Sequence, residues 1–194
     1  MSAQGAISIV REFVPRKETP ADAPELVKAA QEVLTQGLDL LINLDDHSYS
    51  QRVAAPFQAS IGQHYRHVLE HFQSLMWGLK PGEINYDARE RNARMENEVA
   101  YASIVTCELL RAFKRMSQET LEGNCAVIAS VGYGSSRPSR LESNVGREVA
   151  YCAGHAIHHY AIIRLICSEV GVAISDEFGF APSTLKHMST LAAD

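Results

Sequence analysis

Apolar residues recur at intervals of three and four positions in four long stretches, and that period predicts four amphipathic helices. In the first, over 22–46, Leu26, Ala29, Ala30, Val33, Leu34, Leu38, Leu41 and Ile42 fall on one stripe. Pro24 suits the first turn of this helix, where an absent N–H leaves nothing unpaired. The period breaks over 47–56, which reads as a loop. It resumes over 57–77 through Ile61, Tyr65, Val68, Phe72, Leu75 and Met76, with Gly78 and Pro81 as the stop. A turn-like segment over 78–87 leads to a third, polar-faced helix over 88–117, whose apolar positions include Val99, Ile104, Cys107, Leu110 and Phe113. The run CAVIASVGYG over 125–134 is short, β-branched and bounded by glycine, so a small strand is expected there. GSSRPSRLES reads as a loop. Ser143 or Asn144 then caps a fourth long helix that runs to Val170 and stops at Gly171. The tail holds one short helix after Pro182.

These elements predict an all-α fold: a four-helix bundle with a long crossover connection, and room for a short β-hairpin between the third and fourth helices. Residues 1–21, with Pro15 and Pro20 near their end, read as an irregular N-terminal arm, and 22–194 as a single domain. A chain of 194 residues can bury one sizeable core.

Composition acts mainly by exclusion. The net charge is −5 with no basic block, so nucleic acid is not an expected partner. No run approaches the roughly 18 apolar residues of a spanning helix, so no membrane association is expected. The start MSAQGAISIV lacks the pattern of a secretory leader, which predicts a cytoplasmic protein. The four cysteines form no CxxC pair and are expected to be reduced, mostly buried thiols.

The candidate chemistry lies in the histidines. Six of the eight fall in two helix-patterned stretches: His64, His67 and His71 in the second helix, His155, His158 and His159 in the fourth. Histidines four apart lie one turn apart on one face, about 40° from each other at about 100° per residue. Two such imidazoles reach a single ion, and a third from a facing helix completes a His₃ site with positions open for water or substrate. The alternative is a buried polar network in which the imidazoles hydrogen-bond to one another. His47 and His187 are isolated and read as structural or solvent-exposed residues rather than ligands.

Motif comparison narrows the choice. A zinc-protease helix needs Glu directly after the first histidine, where this chain has Ala156. A di-iron bundle needs Glu three residues before a histidine, where Val68 and Cys152 stand. Neutral nitrogen ligands favour Zn²⁺, Ni²⁺ or Fe²⁺ over Mg²⁺ or Ca²⁺. Glu148, Tyr151 and Cys152 lie one to two turns before His155, and Glu70 flanks His67. Glu148 is the candidate catalytic proton acceptor, with Glu70 behind it; its other reading is an acidic residue complementing the helix dipole.

HAIHHYAIIRLICSEVGV resembles the final-helix signature of the DinB/YfiT-like metalloenzyme family, H-x-x-H-H followed by an apolar helix and Gly. SIGQHYRHVLEH resembles that family's second-helix segment, which begins with Ser or Thr and places a ligand histidine seven residues later. The resemblance covers about 22–171, and FGFAPSTLKHM resembles one branch of the family. It implies metal ligands at His67, His155 and His159, with His64, His71 and His158 as pocket residues. It also implies a homodimer and a divalent-metal-dependent enzyme acting on a small molecule, with the metal activating water or a low-molecular-weight thiol such as mycothiol or bacillithiol for transfer or hydrolysis. A non-catalytic metal-binding or stress-associated protein is the alternative. Tyr160, Ala161 and Ile162 stand where the commoner motif has Arg-Gly-Gln after the paired histidines.

Overall fold

The computed structural model describes residues 23–54, 58–134 and 137–191. The arm expected over 1–21 lies outside them. Among the described residues the chain forms α1 (Glu25–Leu41), α2 (Asp46–Ser50), α3 (Ile61–Gly78), β1 (Glu83–Asn85), α4 (Ala93–Asn97), α5 (Val99–Lys114), α6 (Gln118–Glu122), β2 (Asn124–Ala129), β3 (Ser139–Asn144), α7 (Val145–Val170) and α8 (Pro182–Leu191). The fold is mostly helical with a small sheet, so the all-α expectation is corrected to a mixed one.

Each long helix starts and stops for a local reason. Ser60 and Gln63 form a reciprocal capping box that fixes the start of α3, satisfying two otherwise unpaired N–H groups. The Asn144 side chain accepts from Arg147 N and starts α7. Gly171 ends α7 in the left-handed region at φ 73°, which glycine adopts without a Cβ penalty. The third expected helix is broken instead: Glu98, with extended backbone, separates α4 from α5. The expected first helix ends early, at Leu41, and α2 takes up 47–50 of the expected loop; Asp46, its first residue, accepts from Val99 N at the start of α5.

β2 and β3 pair antiparallel as the hairpin between the third and fourth long helices, with Asn124 opposite Asn144. β3 replaces part of the loop expected over 134–143. β1 adds parallel to β2, and its buried Ile84 tucks beneath the end of α3. This strand occupies the segment read as a turn, because three residues are too few to show alternation.

α1 packs on α5 and α7, and α3 packs on the same two helices, enclosing the core between them. Leu34, Leu38, Tyr65, Val68, Phe72, Phe113, Tyr160 and Ile163 are buried there. Ile104, expected on the apolar stripe of the third helix, is instead 49% exposed, because α5 buries the face bearing Ala102, Val105, Leu109 and Phe113. Gly62 lets α3 approach α4 closely: a Cβ there would lie 2.0 Å from the Glu96 carbonyl oxygen. Gly62→Ala therefore forces backbone apart and should destabilise the protein by about 1–3 kcal/mol in urea unfolding. An unchanged midpoint would show that the contact relaxes freely.

Candidate metal centre

α3 and α7 pack together and bring the two histidine clusters face to face. One ligand nitrogen each from His67, His155 and His159 lies within 4.8 Å of the others. Nε2 of His67 is 2.9 Å from Nε2 of His155, somewhat under the ~3.3 Å that separates two nitrogens bound tetrahedrally to one zinc ion. The other histidines surround this trio. His64 Nδ1 is 2.9 Å from His159 Nδ1, and the His71 and His155 rings lie tilted with their centroids 4.2 Å apart. The His71 Nδ1–H donates to the His67 carbonyl oxygen at 2.9 Å, leaving its Nε2 as the lone-pair nitrogen. His158 is exposed, with its ring 5.3 Å from that of His159. His47 and His187 lie on the surface.

The environment keeps these imidazoles neutral, which is the ligating form. Burial, reinforced by His71 and Arg89, pushes His67 down to about 2. Burial and the neighbouring histidines push His159 down to about 3, and burial holds His71 at about 4. His155 and His64 are lowered for the same first reason. An unfolded histidine titrates near pH 6.5, so between these values and about 6.5 the unfolded chain binds more protons than the folded one. Stability without metal should thus fall as the pH drops below about 6.5, and the loss should be shallower in His67→Gln. Urea unfolding with chelator at pH ~7 and ~5 checks this, and equal stability at both would contradict it.

The remaining candidates sit beside the cluster. Glu148 is fully buried and accepts from Ser143 Oγ at 2.6 Å, Arg147 Nη1 at 2.7 Å and the Tyr86 hydroxyl at 3.0 Å. Among the described residues it makes no hydrogen bond to a histidine; Tyr86, stacked on His71 at 5.3 Å, stands between them. Cys152 is also beside Tyr86, its thiol is pushed up to about 12 by burial, and it lies outside the group of convergent ligand atoms. All four cysteines are free and buried. Glu70 accepts from Asn92 N and thereby holds the loop before α4.

Two residues of this centre carry no signal in sequence spacing. Tyr86 follows β1, and Arg89 lies in the irregular segment after it, with Nη1 donating to His67 Nδ1. A separate groove of about 690 Å³, between α1 and the segment after α7, is lined by Gln36, Asp39, Ile174 and Phe178 and shares no residue with the histidines.

No family model matches the chain. Among curated proteins, a protein of Rhizopus delemar named FK506-binding protein 5 is 37% identical over 105 residues, covering 54% of this chain and 27% of that protein. The chain thus spans about a quarter of the length of this relative. This finding corrects the resemblance drawn from the two histidine segments: the similarity leads to a protein named for FK506 binding, and not to the DinB/YfiT-like family. The expected DinB-like enzyme activating water or a low-molecular-weight thiol, together with its stress-associated alternative, is set aside with it. Helical spacing reports which side chains share a face, and unrelated helices reach the same spacing. Among the described residues no helix is long and apolar enough to cross a membrane.

Proposed function

We propose that this chain binds one divalent transition metal ion, Zn²⁺, Ni²⁺ or Fe²⁺, through His67, His155 and His159. The observation that carries this reading is the convergence of three ligand nitrogens within 4.8 Å from two packed helices. Neutral imidazoles are the donor set these ions prefer. In the ligating arrangement, His159 donates through Nδ1 to His64, which fixes its tautomer and leaves Nε2 for the metal. Three protein ligands leave at least one coordination position for a small molecule. The finer architecture belongs to the same proposal: α1, α3, α5 and α7 constitute a four-helix bundle, with the hairpin carried by the crossover from α5 to α7. Metal-stripped protein titrated with zinc should take up about one equivalent at micromolar concentration or below. Absence of saturable uptake of zinc, nickel or iron would overturn the reading.

The 37% identity to FK506-binding protein 5 favours a second reading, in which this chain shares that protein's FK506 binding. Calorimetric titration with FK506 tests it. Saturation at one equivalent supports it, and no heat above dilution removes it.

A further inference from the structure

Arg89 presents a half-buried cation to the histidines with no anion to match it. Its Nη1 lies on His67 Nδ1 and 3.3 Å from His71 Nδ1. Its buried Nε has no hydrogen-bond partner among the described residues, and none of their carboxylates lies within ion-pair distance of it. The two carboxylates whose charge acts on it are engaged elsewhere: Glu70 by Asn92 N and Arg66, and Asp87 by Ser130 N. The segment holding Arg89 in place is tied down at both ends. Asn85 Oδ1 accepts from Asp87 N and Ala88 N, and beyond Arg89 the backbone turns through Arg91 at φ 53°, a conformation non-glycine residues seldom adopt. Strain retained around an unneutralised guanidinium is a mark of a binding site.

Metal binding sharpens the imbalance. A guanidinium only donates, so His67 Nδ1 must be the accepting nitrogen in their contact, and Nε2 then carries the proton it shares with His155. Were His67 to hold a metal through Nε2, that proton would move to Nδ1. Donor would then face donor, and the guanidinium has to leave His67. It is then a planar fork beside an ion with an open position, the pairing that suits an oxyanion. We infer that the site takes a small oxyanion, a carboxylate or a phosphate, with one oxygen on the metal and another on Arg89. This rests on the metal-binding reading.

The test uses the full chain loaded with cobalt, whose visible absorption reports its ligands. Acetate and inorganic phosphate are titrated separately into the wild-type protein and Arg89→Met, each first loaded to one equivalent. At least one anion should shift the wild-type bands, and Arg89→Met should bind it at least tenfold more weakly. A response to acetate alone identifies a carboxylate ligand, and a response to phosphate alone a phosphate. Cobalt bands moved by neither anion, or equal anion affinity in both proteins, would overturn the inference while leaving the metal site standing. Failure of the wild-type protein to take up cobalt would remove the metal site and the inference together.

Discussion

Replacing His155 with alanine should lower zinc affinity by well over the roughly 10–100-fold that follows loss of an outer hydrogen-bond partner, because it deletes a ligand outright. His67→Ala and His159→Ala should behave alike, since each removes one of three convergent nitrogens. The internal control is His158→Ala. That side chain is exposed and lies beside the trio rather than in it, so its loss should leave zinc binding near wild type. The fold should survive the ligand substitutions in the absence of metal, because the imidazoles are buried as neutral groups and the core lies between the helices. Competition against a chromophoric chelator measures all four variants. Wild-type affinity in His155→Ala would show that the cluster is a hydrogen-bonded network.

Phe72→Ala should be the most damaging single change to stability, at about 3–5 kcal/mol. Phe72 is completely buried on α3 and meets Phe113 of α5 edge-to-face at 5.6 Å. Truncation removes both the apolar burial and that ring contact, and the cavity lies where two long helices press together. A domain stable by about 5–15 kcal/mol loses a large share of its margin this way. Chemical unfolding with an unchanged slope and a much lower midpoint is the expected result. A loss below about 1 kcal/mol would mean that α3 and α5 close over the gap.

The long helices were legible because their apolar residues recur with a helical period and their ends carry chemical punctuation. Asn144 caps α7 and Gly171 terminates it, both as their residue types predict. The one-turn spacing of His155 and His159 likewise indicated a shared face, and α3 brings His67 against it. Of the small elements, the strand at β2 and the short helix α8 after Pro182 were legible, but others were not. β1 has three residues and depends on pairing with β2, which lies some forty positions away in sequence. The break at Glu98 interrupts a pattern that would otherwise support one continuous helix. Arg89 reaches the histidines from an irregular segment, where no periodicity links it to them. Glu148 was legible as an acidic residue in the first turn of α7, two turns before His155, but its burial and its partners Tyr86 and Ser143, which come from other elements, were not. The resemblance to DinB/YfiT-like proteins rested on spacing within two helices, a feature that helix geometry alone can produce.

The most direct test of the metal centre is anomalous diffraction at the zinc edge from crystals of the full chain grown with equimolar zinc. The expected result is one strong peak about 2.0–2.1 Å from nitrogens of His67, His155 and His159, with Arg89 turned away from His67. No peak among these residues, or a peak on surface groups alone with the Arg89–His67 contact intact, would contradict it.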